Sequence, residues 1–142
     1  MKRIHIHLAV DNLGQNIAFY KALFQSEPTV IESDYAKWML DDPRVNFAIS
    51  SRGRPPGLDH LGIQVETSEE LEVVQQGLVD AALPVAAQKQ AACCYAQSDK
   101  YWSIDPQGIA WEAFHSLQSI PLFGDDQVIQ LDPAAPCCKP KA

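Results

Sequence analysis

The sequence lacks any long hydrophobic run and carries few basic residues for its size. Among its 142 residues, Lys and Arg number 11 against 18 Asp and Glu, so the formal net charge is -7. A nucleic-acid-binding protein needs a basic patch for the phosphates, and an anionic membrane surface attracts clusters of Lys and Arg. The composition therefore predicts neither nucleic acid nor membrane as a partner.

The first residues also lack the features of a targeting segment. They read Met1-Lys2-Arg3-Ile4-His5, where charge and histidine interrupt the apolar core that a signal peptide requires. We therefore expect a cytoplasmic protein without a membrane span. Cysteine is scarce as well, with four in the chain. Because cytoplasmic thiols stay reduced, these cysteines are predicted to be reactive or metal-binding rather than a disulfide framework.

The first half of the chain opens on a strict alternation of side chains. In Ile4–Val10, apolar residues occupy every second position, which predicts a β-strand with His5 and His7 on its other face. Asp11-Asn12 supplies a helix cap, and apolar residues at helical spacing up to Phe24 predict the helix itself. Three short strands are then expected near residues 29–32, 35–40 and 45–50.

The second half repeats this order after a linker at residues 51–57. Leu58–Val65 alternates again, with His60 on its polar face, and a helix is predicted from about Thr67 to Ala82. Three more strands are expected near residues 85–89, 101–105 and 109–115. This order predicts an α+β fold of two βαβββ modules, near 1–52 and 57–117, that pair into a half-barrel. We expect one domain over 1–117 and a flexible C-terminal tail at 118–142.

Three ligand-capable side chains fall on polar faces of the predicted strands, and they are His5, His60 and Glu112. Two imidazoles and one carboxylate form the facial triad that suits non-haem Fe(II), although other divalent metals also bind such a set. His7 shares the face of His5 and is a rival for the first ligand position. His115 faces the other way and is expected to be structural.

Three motifs resemble the vicinal-oxygen-chelate superfamily, which contains glyoxalases, bleomycin resistance proteins and dioxygenases. They are the opening Ile4–Leu13, the strand Leu58–Val65 and the closing Asp105–Glu112. The resemblance implies the half-barrel fold of that superfamily and a metal site. Glyoxalase I has a fourth ligand, a Glu near the end of the fourth strand, but Val45–Ser50 contains no carboxylate here. This difference argues against a glyoxalase I.

A vicinal cysteine pair, Cys93-Cys94, narrows the resemblance further. Adjacent cysteines form a disulfide only with strain, whereas two thiols together suit one soft atom such as trivalent arsenic or Cd²⁺. The alternative is that they are buried small hydrophobic residues. With Ser98–Trp102 and the closing motif, the pair resembles organoarsenical carbon–arsenic lyases and cadmium-induced proteins.

This resemblance implies an Fe(II)-dependent dioxygenase that uses O₂ to cleave the carbon–arsenic bond of trivalent organoarsenicals, such as methylarsenite or phenylarsenite, and releases arsenite. The expected small-molecule partners are thus the organoarsenical and O₂, with the protein a monomer or homodimer. The implied catalytic metal ligands are His5, His60 and Glu112, and the implied substrate contacts are Cys93, Cys94, Lys100 and Tyr101.

Several alternatives remain open from the sequence. Lys100 is either part of a loop that closes over the substrate or a solvated surface lysine. A second pair, Cys137-Cys138, either collects a soft ion or has no role. The rival functions are a thiol-based protein that binds cadmium or arsenicals without catalysis, and an extradiol-type dioxygenase that acts on catechols.

Overall fold

The computed structural model describes residues 1–93 and 95–119. The described residues form eight strands and two helices, and they divide into two compact units. We call Arg3–Leu61 the N-terminal unit, and Met1–Lys2 with Gly62 onward the C-terminal unit. The elements are, in chain order, β1 (Arg3–Ala9), α1 (Leu13–Phe24), β2 (Val30–Ile31), β3 (Tyr35–Asp41), β4 (Arg44–Ser50), β5 (Gly57–Val65), α2 (Ser68–Asp80), β6 (Ala86–Cys93), β7 (Ala96–Ile104) and β8 (Ala110–Ser119).

In the N-terminal unit, the strands lie in the order β2-β3-β4-β1-β5. β1 runs parallel to β4, with His5 opposite Asn46, and β3 is antiparallel to β4. The core of this unit is aromatic, because Trp38 and Phe47 pack against Tyr20 and Phe24 of α1. The helix therefore covers one side of these strands.

The alternation in β1 has the expected consequence for burial. Ile6 and Leu8 are partly buried and pack against the aromatic core, while His5 and His7 are 4% and 3% exposed on the opposite face. Successive strand residues point to opposite faces, so the strand buries an apolar row and an imidazole row at once. Asn12 caps α1, as its side chain accepts a hydrogen bond of 2.9 Å from the backbone N–H of Gln15.

In the C-terminal unit, the strand order is β5-β8-β7-β6, with Gly62–Val65 as its part of β5. β7 is antiparallel to both β6 and β8. A second apolar core joins Val65 and Tyr101 to Leu71 of α2. Thr67 caps this helix, and its hydroxyl accepts a hydrogen bond of 3.2 Å from Glu70 N.

The α+β class and the repeated βαβββ order are confirmed. The two compact units divide at Leu61, inside β5, so the first strand of the second module contributes His60 to the N-terminal unit. β6 and β7 are longer than predicted. Among the described residues, neither helix is long and apolar enough to cross a membrane. The predicted tail falls almost wholly on residues 120–142, which lie outside the described part of the chain.

Gly62 of β5 lies against the backbone of Glu112 in β8. A Cβ built at Gly62 would overlap the backbone carbonyl oxygen of Glu112 and lie 3.0 Å from its Cγ. We expect Gly62→Ala to destabilise the protein by about 1–3 kcal/mol, since a backbone carbonyl cannot swing aside as a flexible side chain does. Urea unfolding measures this change.

Gly77, in the middle of α2, is the matched control. A Cβ there meets no atom within 4 Å, so Gly77→Ala is expected to stabilise the protein by about 0.5–1 kcal/mol through its higher helix propensity. Equal stability of the two alanine variants would refute the steric explanation for Gly62.

Candidate metal centre

Three histidines form a buried cluster in the N-terminal unit. His5 and His7 come from β1 and His60 from β5, and each is at most 4% exposed. One possible ligand atom from each lies within 4.8 Å of the others. The ring centroid of His60 lies 5.2 Å from that of His5 and 4.8 Å from that of His7. Three imidazoles buried together are a donor set that can hold a metal ion.

The hydrogen bonds of His5 and His60 define which ring nitrogens carry protons. Nδ1 of His5 lies 3.0 Å from the backbone carbonyl oxygen of Asn46, and Nδ1 of His60 lies 2.7 Å from Oδ1 of Asp59. A carbonyl and a carboxylate oxygen accept hydrogen bonds, so both Nδ1 atoms donate. In the neutral rings, both Nε2 atoms therefore carry lone pairs.

These two lone pairs face each other. Nε2 of His5 and Nε2 of His60 are 3.2 Å apart in a buried environment. Two nitrogens that each lie about 2.1 Å from one ion are separated by about 3.0–3.4 Å in octahedral or tetrahedral geometry. The observed spacing fits two ligands of one divalent ion.

Asp59 holds the ring of His60 in this orientation. Burial raises the pKa of the Asp59 carboxyl, but the hydrogen bond with His60 and, when the rings are protonated, the positive charges of His7 and His60 outweigh that effect. A hydrogen bond from Arg54, at 2.9 Å, also contributes, and the pKa falls from 3.8 to about 2. A carboxylate behind a metal-binding imidazole fixes its tautomer and makes it a stronger ligand.

His7 has a different partner from the other two. Its Nε2 lies 2.8 Å from the hydroxyl oxygen of Ser50 in β4. Its ring packs edge-on against that of Tyr35, with 6.1 Å between the two ring centroids. A hydroxyl both donates and accepts, so this bond is compatible with either tautomer of His7. In the neutral tautomer in which Nε2–H donates to Ser50, the lone pair of His7 lies on Nδ1.

Glu112, the predicted third ligand, lies in β8 of the C-terminal unit and is 6% exposed. Its Oε2 is 3.5 Å from Nζ of Lys100, and Trp102 sits directly opposite it in β7. The lysine also lies over the indole ring of Trp102, with Nζ 5.7 Å from the ring centroid. The carboxylate is thus buried beside a positive charge, and its role as a metal ligand stays a prediction.

Lys100 was predicted to lie either in a loop that closes over the substrate or on the solvated surface, and both predicted locations are wrong. The residue lies in β7 rather than in a closing loop, and at 2% exposure it is not solvated. The strand alternation explains this: Lys100 and Trp102 share the face that carries Glu112, and the ion pair offsets the burial of the ammonium group. Tyr101 points the other way, into the core beneath α2. The side chains of Lys100 and Tyr101 therefore lie on opposite faces of β7.

Of the predicted thiols, Cys93 is the last residue of β6, paired with Ala96 of β7. Tyr95, on the connection between these strands, has a positive φ of 60°. Cys94, Cys137 and Cys138 lie outside the described residues. The arsenic-binding role of the first pair thus stays a prediction. His115 lies in β8, with Nδ1 3.5 Å from the hydroxyl of Ser68 and outside the histidine cluster.

Sequence reasoning missed Asp59 and Ser50 as partners of the cluster. The signal for Asp59 was present, since a carboxylate next to a candidate ligand is able to orient it. No comparable signal existed for Ser50, because its contact with His7 depends on the parallel register of β1 and β4, in which His7 lies opposite Ala48 and Ser50 is two positions further along β4.

Comparison with known proteins gives a consistent set of relatives, although no protein-family model matches the chain. The chain is 38% identical, over 84% of its length and 76% of the relative's, to the trivalent organoarsenical cleaving enzyme of Bacillus sp. strain MD1. It is 32% identical to the enzyme of the same name from Thermomonospora curvata, over 99% of this chain and 91% of that one. The cadmium-induced protein CadI of Mycobacterium bovis is 32% identical over 87% of this chain and 82% of its own.

Solved structures show the same fold at low sequence identity. Homoprotocatechuate 2,3-dioxygenase from Brevibacterium fuscum, in its anaerobic complex with 3,4-dihydroxyphenylacetate, has a TM-score of 0.63 and 15% identity. The match covers 85% of this chain and 38% of the dioxygenase. The Mn(II)-bound glyoxalase from Novosphingobium aromaticivorans has a TM-score of 0.60 and 14% identity, over 89% of this chain and 43% of its own. These likenesses confirm the predicted fold class.

Proposed function

The chain belongs to the family of trivalent organoarsenical cleaving enzymes, within the vicinal-oxygen-chelate superfamily, and we propose that it is itself a metal-dependent enzyme that cleaves the carbon–arsenic bond. The substrates in this proposal are trivalent methyl- and phenyl-arsenicals, and the arsenic product is arsenite. The cofactor is Fe(II) and the oxidant is O₂. His5, His60 and Glu112 are the proposed metal ligands.

The observation that carries the proposal is the facing pair of imidazole nitrogens. Nε2 of His5 and Nε2 of His60 lie 3.2 Å apart, and each ring is held by an acceptor behind its Nδ1. Two lone pairs at this distance repel each other unless a proton on one of the rings or a bound metal ion lies between them. A protein that preorganises such a pair, at positions that the family resemblance assigns to the metal, supports a metal-dependent reaction.

His5, His60 and Glu112 would hold the ion, and a bound Fe(II) would supply the oxygen chemistry. The residues of the chain supply orientation and shielding. Asn46 O and Asp59 fix the two rings, and burial excludes bulk water from them. Glu112 contributes a carboxylate that is buried beside Lys100.

In this proposal, the thiols of Cys93 and Cys94 select the substrate. An iron site with three protein ligands has no preference for an arsenical, whereas paired thiolates bind soft trivalent arsenic tightly. Cys93 ends β6, and Cys94 follows it directly in the sequence. Both must be deprotonated to bind arsenic. We propose that the two thiolates hold the arsenic while its organic substituent is oxidised.

Anaerobic reconstitution with Fe(II), followed by addition of O₂ and methylarsenite, tests the function. We expect O₂ uptake and release of inorganic arsenite, measured with an oxygen electrode and by arsenic speciation. Binding of methylarsenite without either signal would identify an arsenical-sequestering protein instead. Uptake of O₂ with a catechol but not with methylarsenite would identify an extradiol-type dioxygenase.

The double substitution Cys93→Ser with Cys94→Ser is expected to eliminate arsenite release while Fe(II) binding remains at the wild-type level. Hydroxyl groups have almost no affinity for trivalent arsenic compared with thiolates. The matched control is Cys137→Ser with Cys138→Ser, which removes the other cysteine pair and should retain most of the activity. Arsenite release by the Cys93/Cys94 variant at the normal rate would contradict thiol capture.

A further inference from the structure

The histidine cluster contains one imidazole more than the proposed catalytic ligand set uses. We propose that His5, His7 and His60 form a second metal-binding mode, a three-imidazole site for borderline divalent ions such as Zn²⁺, in which His7 is the third ligand and Glu112 takes no part. This inference shares His5 and His60 with the proposed function, but it does not depend on cleavage of arsenicals.

The geometry of the cluster supports a third imidazole ligand. All three rings are buried, and possible ligand atoms of all three lie within 4.8 Å of one another. His60 is central, since its ring is nearer to both His5 and His7 than those two are to each other, at 5.2 and 4.8 Å against 6.0 Å. Nitrogens on one ion are about 3.0–3.4 Å apart, so binding requires the most distant ligand atoms to approach each other by up to about 1.4–1.8 Å.

The hydrogen bond of His7 is compatible with this role. Ser50 lies 2.8 Å from Nε2 of His7, and its hydroxyl oxygen accepts a proton from Nε2 when Nδ1 binds the ion. In each imidazole, the ring nitrogen that does not bind the ion then donates a hydrogen bond. The three acceptors are Asn46 O, Ser50 Oγ and Asp59 Oδ1. Such acceptors are the usual support of metal-bound imidazoles.

The chemistry of the donors determines which ions each mode takes. Three neutral imidazoles suit zinc and copper, and a three-histidine zinc site leaves the fourth position open. A set with one carboxylate suits non-haem Fe(II) better. Because the two modes share His5 and His60, they exclude each other. Zn²⁺ bound through His7 therefore blocks the Fe(II) mode.

Imidazole ¹⁵N NMR tests the site directly, because the chain has four histidines and each gives its own signals. One equivalent of Zn²⁺ added to the full chain should shift the signals of three imidazoles to metal-bound values and leave His115 unchanged. In His7→Gln, which keeps a polar side chain at this position, two imidazoles should shift and the Zn²⁺ affinity should fall by about 10-fold or more.

Two control variants separate this proposal from the proposed function. His115→Ala removes the histidine outside the cluster and should keep all three shifts and the Zn²⁺ affinity. Glu112→Gln should also keep the three shifts. The proposal is overturned if His7 does not shift with Zn²⁺, if His7→Gln retains wild-type affinity, or if Glu112→Gln abolishes Zn²⁺ binding. Failure to cleave methylarsenite affects none of these readouts.

Discussion

Replacing His60 with Ala is expected to abolish Fe(II) binding and arsenite release. His60 supplies one of the two nitrogens that face each other at 3.2 Å, and it is also the ring nearest to His7. Loss of even an outer partner of a metal ligand typically costs about 10–100-fold in metal affinity or activity, so loss of the ligand itself should exceed that range. Iron content after anaerobic reconstitution and arsenite release measure the two effects.

His115→Ala is the control for the His60 variant, because it makes the same chemical change outside the cluster. It should bind iron and release arsenite as the wild type does. Cys93 and Cys94 should remain titratable in His60→Ala, which shows that the thiols and the metal ligands fail separately. Wild-type iron content in His60→Ala would reject His60 as a ligand and with it the histidine pair as the metal centre.

The sequence predicted those parts of the fold that rest on periodicity and caps. The alternation of Ile4–Val10 gave β1 within one residue at each end, and Asn12 and Thr67 cap the helices as expected. β6 was predicted too short because Ala86–Cys93 mixes small and polar residues without alternation. Its length is determined by pairing with β7, and pairing partners distant in sequence cannot be derived from local propensity.

In the candidate site too, the sequence predicted what depends on local pattern and not what depends on strand pairing. His5 and His60 were found from their positions on polar strand faces, and their proximity is confirmed. Lys100, next to Tyr101 and Trp102, was misplaced because a lysine is ordinarily exposed, whereas its burial depends on Glu112, twelve positions further on. Buried charges are rare unless they are paired, and the partner becomes visible only when β7 and β8 are aligned.

The buried ion pair between Lys100 and Glu112 leads to the second large expected effect. Lys100→Met keeps a side chain of similar length but removes the charge, and it should destabilise the metal-free protein by about 3–5 kcal/mol. The reason is that the carboxylate of Glu112, whose side chain is 7% exposed, loses the compensating charge of Lys100. Urea unfolding of the metal-free protein measures the change in the free energy of unfolding.

Lys89→Met is the matched control, because Lys89 also pairs with a carboxylate across β6 and β7. Its Nζ lies 3.9 Å from Oδ2 of Asp99, but its side chain is 61% exposed, so its loss should cost no more than about 1 kcal/mol. The double variant Lys100→Met with Glu112→Leu should recover most of the lost stability, since an apolar pair replaces the ion pair. If Lys100→Met costs no more than Lys89→Met, the buried ion pair does not stabilise the fold.

The same variant tests Glu112 as a metal ligand. A bound divalent ion would replace the ammonium group as the counter-charge of the carboxylate. Lys100→Met should therefore be less destabilising in the Fe(II)-loaded protein than in the metal-free one, when both are unfolded under anaerobic conditions. An equal loss of stability in the two forms would mean that the ion does not reach Glu112, and the ligand set would then have to be drawn from the three histidines.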